Sequence, residues 1–319
     1  MSASAFEPPF AESEIEVTEG LVYAAPGGRE LKLDLYRPRA SGPCPVILWL
    51  HGGGWRFGNR RQAPPLRRYF AERGYAMASI DYRRSDEAVF PAAVEDVKFA
   101  IRWLKGAAAT YGLDPDRIGL WGSSAGGHLA ALATTSGPGV FEDAASGEPD
   151  SAVAAVIVAY APSDFLQLDA YRDPEGKPSD DAESIQLPAG KRSRDPDSLE
   201  SLFLGAPIET VPDTVRAANP ITYVRPGLPP FLILHGTADT AVPAHQSLLL
   251  HDALITAGAS ATLGLIDGLG HGFLNRANLD DTPREILWDG PDGRGRRNGR
   301  PFTLIGDWFD RYLRDIPCA

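Results

Sequence analysis

The pattern of apolar and polar positions changes character along the chain. Residues 1–14 show no sustained periodicity and read as a loose N-terminal arm. Short strands are predicted at 21–24 and 31–36, and the second alternates as Leu31–Lys32–Leu33–Asp34–Leu35–Tyr36, as a strand with one covered face does. From Pro45 the rhythm becomes apolar run, loop, amphipathic segment. The runs at 46–50, 76–82, 117–121, 153–160, 231–234 and 262–266 predict buried strands. Residues 91–111 predict a long helix, with Pro91 suited to its first turn and Val94, Val97, Ile101 and Leu104 on one stripe. Further helices are predicted at 124–134, 244–257 and 303–313. Near-continuous apolar strands alternating with helices predict an α/β chain with a mostly parallel central sheet and helices on both faces. The early alternating strands would form its antiparallel N-terminal edge.

Two stretches break the rhythm, and no internal repeat is present. Residues 163–218 are rich in Asp, Pro, Ser and Glu, including the run Lys177–Pro178–Ser179–Asp180–Asp181. Residues 275–300 end in a glycine- and arginine-rich run from Gly290 to Arg300. Long irregular stretches in compact domains are binding loops, lids or disordered segments. The first is expected to be a lid-like insertion and the second an irregular insertion.

Composition narrows the partners. With 319 residues, 43% of them hydrophobic, the chain has material for a large core. A formal charge of -11 argues against a nucleic-acid or anionic-membrane surface. It also favours a solvated loop over a polyanion site for the arginine run. Cys44 and Cys318 are too few for a disulfide framework, and whether they pair is left open. The start has neither the basic nor the apolar region of a signal peptide, and no apolar stretch reaches membrane-spanning length, so a cytoplasmic location is expected.

The chemistry begins at Gly122–Ser123–Ser124–Ala125–Gly126–Gly127, a G-x-S-x-G sequence between a predicted strand and a predicted helix. In that setting the serine occupies a sharp turn with its hydroxyl exposed at the carboxyl edge of the sheet. The glycines flank position 124 at the required offsets, which favours Ser124 over Ser123. A serine hydroxyl is a weak nucleophile at neutral pH and needs a general base, itself held by a carboxylate. With the chain order serine, acid, histidine, the base lies C-terminal to Ser124. His128, one turn beyond the serine, reads as packed under the elbow, and His235, ending a strand, as a structural residue orienting the next loop. His245 and His251 read as surface or packing residues of a helix. His271 sits in the glycine-rich loop Asp267–Gly268–Leu269–Gly270–His271–Gly272 after the last predicted strand and is the predicted base. Asp239, in the loop after 231–234, is the predicted acid, ahead of Asp164 and of Asp267, which reads as a turn cap.

Three consecutive glycines in His51–Gly52–Gly53–Gly54–Trp55 directly follow the apolar run 46–50. Each glycine costs conformational entropy, so a triplet implies a sharp turn or a close approach to the backbone. Acyl transfer through a tetrahedral oxyanion needs preset N–H donors about 3 Å from the oxygen. Gly53, Gly54 and Ala125, the residue after the nucleophile, are the predicted oxyanion donors. His51 reads as a hydrogen-bonding anchor and not a second base.

With these motifs in place the chain resembles the α/β-hydrolase superfamily, specifically the HGGGW-bearing esterases near the hormone-sensitive-lipase group. It is most similar to bacterial carboxylesterases related to acetylxylan and feruloyl esterases, the BD-FAE type. The matching stretches are 31–36, 51–58, 81–84 with 91–98, 111–129, 220–224, 235–243 and 271–273. The resemblance implies one α/β-hydrolase catalytic domain over 1–319. It implies a serine carboxylesterase with the triad Ser124, Asp239 and His271, no cofactor and no metal, acting on a small-molecule ester. Many relatives carry Asp where this chain has Ser123, and the two insertions are longer than usual. Since those insertions would rim the entrance, the ester's acid and alcohol do not transfer. The other readings are a formamidase-like amide hydrolase and a non-catalytic ligand receptor of the same fold.

Overall fold

The computed structural model describes residues 8–39, 42–142, 148–171 and 192–314. Among these, ten strands join in one sheet: β1 (Ile15–Ala24), β2 (Leu31–Pro38), β3 (Cys44–Leu50), β4 (Ala76–Ile80), β5 (Leu113–Ser123), β6 (Ala155–Ala159), β7 (Phe231–Gly236), β8 (Ala261–Ile266), β9 (Arg284–Gly290) and β10 (Gly293–Gly299). The spatial order is β1-β2-β4-β3-β5-β6-β7-β8-β9-β10. The six central strands, β4 to β8 in that order, run parallel. This is the α/β-hydrolase arrangement. β1 and β2 form the expected antiparallel edge.

Two-sided burial explains the apolar runs. Along β3, Val46, Leu48 and Leu50 enter the core on one face, and Ile47 and Trp49 enter the core on the other. All five are fully buried, each worth about 1.5–3 kcal/mol of transfer free energy. The first face is covered by α1 (Ala92–Gly106), α3 (Ala125–Ser136) and α6 (His245–Thr256), through residues such as Val97, Ile101, Leu129 and Leu254. The second is covered by α7 (Pro301–Phe309), with Phe302, Ile305 and Phe309 packed against Phe70 and Trp121. α2 (Ala108–Tyr111) is a short continuation of α1, because the helix predicted over 91–111 breaks at Ala107 (φ -89°, ψ 3°). β1 starts six residues before the predicted 21–24, across an irregularity at Gly20, whose φ of 71° interrupts the alternation.

The reading of 275–300 as irregular is corrected. Residues 284–299 form an antiparallel hairpin that extends the sheet beyond β8. In β9, Ile286 and Trp288 are buried and alternate with exposed positions. β10, Gly293–Arg294–Gly295–Arg296–Arg297–Asn298–Gly299, carries no apolar residue at all. It is matched to β9 by charge: Arg294 pairs with Asp289 at 2.5 Å and Arg296 with Glu285 at 2.5 Å, while Arg297 lies 3.9 Å from the Trp288 ring centre. The arginine run is therefore an edge strand whose charges discourage further pairing.

Within 163–218, residues 172–191, including the run at 177–181, lie outside the described residues, as do 1–7 of the N-terminal arm and Cys318. The described part carries α4 (Leu199–Leu204) and α5 (Pro212–Ala218). No helix among the described residues is long and apolar enough to cross a membrane.

Candidate active site

β5 ends at Ser123, α3 begins at Ala125, and Ser124 between them has φ 51° and ψ -121°. A non-glycine residue in that region is strained and persists only when its surroundings hold it. Here the Ser124 N–H donates to Ala159 O at 2.9 Å, and Ser124 O accepts from His128 N at 2.9 Å. The turn also needs Gly126. A Cβ there would collide with Leu50 O and His51 O, so this glycine lets α3 press against the start of the HGGGW loop.

Three predicted residues from three loops come together. Ser124 Oγ lies 2.9 Å from His271 Nε2, and His271 Nδ1 lies 2.7 Å from Asp239 Oδ2. Since a carboxylate only accepts, Nδ1 carries the proton and the Nε2 lone pair faces the serine hydroxyl. The two carrier loops are tied together, with Ala238 N donating to Leu269 O at 2.9 Å and Gly268 N to Thr237 Oγ1 at 2.9 Å. Tyr160, fully buried, meets the His271 ring edge-on at 5.0 Å. Asp239 Oδ1 accepts from Ala241 N and Val242 N, both at 2.9 Å. Burial by itself raises this carboxyl, but the imidazoles of His271 and His235 outweigh it and hold Asp239 well below the usual carboxylate range.

The competing residues are occupied elsewhere. Asp164 accepts from Leu166 N and Gln167 Nε2 of its own turn and from Asn219 Nδ2 at the end of α5. Asp267 is exposed and receives the Thr237 hydroxyl at 3.3 Å. His51 donates from Nδ1 to Gly52 O at 2.7 Å and stacks on Tyr82, and burial pushes its pKa down to about 4. His128 is pushed down to about 4 by burial too. Its Nε2 donates to Ala218 O at 2.8 Å, so its Nδ1 accepts from the Trp55 indole N–H at 3.1 Å. His245 stacks on Tyr171 at 3.5 Å, and His251 is buried in α6.

The glycine triplet has the expected geometry of a close turn. Gly53 and Gly54 have φ 110° and 59°, and a Cβ on Gly53 would sit 2.5 Å from Phe57 O. Gly53, Gly54 and Ala125, the predicted oxyanion donors, are all buried. The start of this loop meets the Ser124 turn where Gly126 packs against Leu50 O and His51 O. Leu199, at the start of α4, lies directly over Gly54, and Trp55 stacks on Phe203 of the same helix at 4.7 Å. The HGGGW loop is thus in contact with the 163–218 segment.

The sequence placed His235 correctly as an anchor of the loop that follows it, since its Nε2 reaches Val242 O at 2.9 Å. It did not foresee that the same Nε2 also lies 3.2 Å from Asp239 Oδ2. The i, i+4 spacing of His235 and Asp239 across a turn was the available signal. Among the described residues, no group of three or more His, Cys, Asp or Glu side chains is placed to hold a metal ion.

Comparison with known proteins places the chain among esterases. The BD-FAE family model matches residues 33–254, more than half of the chain. The chain is 36% identical over 245 residues to Esterase LipQ of Mycobacterium tuberculosis, covering 74% of this chain and 52% of that one. It is 32% identical over 270 residues to a probable isoprenylcysteine alpha-carbonyl methylesterase of Arabidopsis thaliana, covering 80% and 52%. The chain therefore spans about half the length of the curated relatives it matches. Among solved structures, a truncated carbohydrate esterase from gut microbiota superposes with a TM-score of 0.73 at 25% identity, covering 96% of this chain and 99% of that one. Esterase 2 of Thermogutta terrifontis, described with propionate bound, gives 0.65 at 27% identity, covering 98% and 100%.

Proposed function

The chain belongs to the BD-FAE family of the α/β-hydrolase fold, and on that premise we propose that it is a serine carboxylesterase using Ser124, His271 and Asp239. The observation that carries this reading is the unbroken chain of short contacts from Ser124 Oγ through His271 to Asp239 Oδ2, at 2.9 and 2.7 Å. His271 Nε2 takes the Ser124 proton as Oγ attacks the ester carbonyl. The carbonyl oxygen becomes an oxyanion held by the N–H groups of Gly53, Gly54 and Ala125, donors that need no reorganisation as charge develops. His271 returns the proton to the leaving alcohol and leaves the acyl group on Ser124. Water, deprotonated by the same imidazole, then releases the acid. Asp239 stays ionised throughout and stabilises the imidazolium.

The substrate is proposed to be a small ester with a short acyl group, on a simple, aromatic or carbohydrate alcohol. Leu199 over Gly54 supports a confined acyl site, as do the propionate- and butyrate-bound forms of the Thermogutta terrifontis esterase. The 163–218 segment is proposed to rim this entrance as a lid. The test is kcat/KM across p-nitrophenyl acetate, butyrate, octanoate and palmitate for the wild type and Ser124→Ala. The expected result is a maximum at acetate or butyrate and a loss on the order of a thousandfold or more in Ser124→Ala. Activity on none of the four esters, or full activity in Ser124→Ala, would overturn the reading.

A further inference from the structure

Behind the triad lies a second imidazole that the ester chemistry just described does not use. His235 is the penultimate residue of β7 and is fully buried. Its Nε2 faces two acceptors, Val242 O at 2.9 Å and Asp239 Oδ2 at 3.2 Å. Neither can donate, so Nε2 must carry a proton. In the neutral ring Nδ1 is then an acceptor, and the only described group bonded to it is the Ser247 hydroxyl of α6 at 2.7 Å. Ser247 is itself buried at the start of that helix. The ring is therefore pinned from behind and aimed at the triad carboxylate.

Asp239 Oδ2 thus has two imidazole partners, His271 on the side of the serine and His235 on the side of α6. Its other oxygen is filled by the amides of Ala241 and Val242. We propose that His235, held by Ser247, is a positioning residue for the proposed esterase. It fixes the lone pair that Asp239 Oδ2 presents to His271, and by sharing that oxygen's charge it tunes the basicity of His271. This rests on the assignment of Ser124, His271 and Asp239 made above. The charged and titratable groups bonded in this line are Asp239 and, beyond it, His271; Ser247 and Val242 O contribute no charge.

The mechanism has a definite sign. Removing the His235 donor leaves more negative charge on Oδ2, which favours the protonated form of His271. Only neutral His271 can act as a base, so the acid limb of the kcat/KM profile moves to higher pH. Removing the Ser247 hydroxyl has a weaker effect of the same sign. A ring whose Nδ1 accepts a hydrogen bond is a stronger donor at Nε2, because linked hydrogen bonds polarise one another.

The test uses His235→Phe, His235→Gln and Ser247→Ala in the full chain, with p-nitrophenyl acetate across pH and thermal unfolding for each variant. Gln can place an amide N–H near the Nε2 position, whereas Phe cannot. For His235→Phe we expect kcat to fall about tenfold to a hundredfold, with KM little changed. Its acid limb should rise by roughly half a unit to one unit. His235→Gln should return the limb towards the wild-type position, and Ser247→Ala should show a smaller rise. A wild-type limb in His235→Phe, or equal displacement in His235→Phe and His235→Gln, overturns the proposal. If His235→Phe does not fold, Ser247→Ala decides: a limb at the wild-type position overturns it. The esterase reading fails separately, through retained turnover in Ser124→Ala, whatever the His235 variants do.

Discussion

Replacing Gly53 with alanine tests the role of the glycine loop at one atom. Gly53 has φ 110°, a conformation that L side chains rarely adopt, and the new Cβ would sit 2.5 Å from Phe57 O and 2.8 Å from Phe57 C. Ordinary contact needs about 3.5 Å, so the loop must move by roughly 1 Å. The backbone conformation adds on the order of 1–3 kcal/mol of strain. That displacement takes the Gly53 and Gly54 amides off the oxyanion. Losing one such donor costs about 10²–10³ in kcat, or roughly 3–4 kcal/mol of transition-state stabilisation. A matched control is Gly20→Ala, at φ 71° with nothing within 4 Å of the added Cβ. It carries similar strain in an edge strand and no collision. Steady-state hydrolysis of p-nitrophenyl acetate should show kcat lowered about a hundredfold or more in Gly53→Ala and unchanged in Gly20→Ala. Thermal unfolding should show both variants folded. Folded Gly53→Ala with kcat within twofold of wild type would refute the assignment of this loop to the oxyanion.

Two further predictions follow from buried charges. Asp239→Asn should lower kcat about ten-thousandfold by removing the acceptor that fixes the His271 tautomer, whereas Asp164→Asn should change it little, since Asp164 accepts from Leu166, Gln167 and Asn219 and its bonds do not involve His271; a severe Asp164→Asn would move the acid to the loop after β6. Lys98 in α1 is fully buried, donates to Gly137 O and has its pKa pushed from 10.5 down to about 8, chiefly by burial. Between those values the unfolded chain holds a proton that the folded chain lacks, so this lysine's destabilising contribution is full below pH 8 and is relieved as pH rises towards 10.5. The stability gap between Lys98→Met and wild type, from urea unfolding, should therefore shrink by about 3 kcal/mol over that range. A gap independent of pH would contradict it.

Much of this architecture is legible in the sequence because two-sided burial leaves little choice of residue. Val46 to Leu50 must all be apolar when both faces of β3 are covered, and the glycines around Ser124 are required by carbonyls that leave no room for a Cβ. β10 was illegible for the opposite reason. An edge strand buries almost nothing, and its arginines are matched to side chains of β9, Arg294 and Arg296 to acids and Arg297 to the Trp288 ring, a pairing that no periodicity along β10 encodes. The break at Ala107 is a matter of one residue's backbone angles within an otherwise helical pattern. In the site, Ser124, His271 and Asp239 could be chosen because each belongs to a loop at the end of a recognisable strand. His235 looked structural because its chemistry appears only when the turn from 235 to 239 brings its Nε2 onto the carboxylate.

The central claim is that Ser124 is a nucleophile activated by His271, and covalent labelling reads it most directly. The protein is treated with an organophosphate bearing a p-nitrophenolate leaving group, digested, and mapped by mass spectrometry, with phenolate release followed in parallel. One phosphoryl group per chain is predicted, on the peptide containing Ser124 and fragmenting to that residue. Labelling should fall at least a thousandfold in rate in His271→Ala and vanish in Ser124→Ala. A label on Ser123, or labelling of Ser124 that is as fast without His271 as with it, would contradict the account.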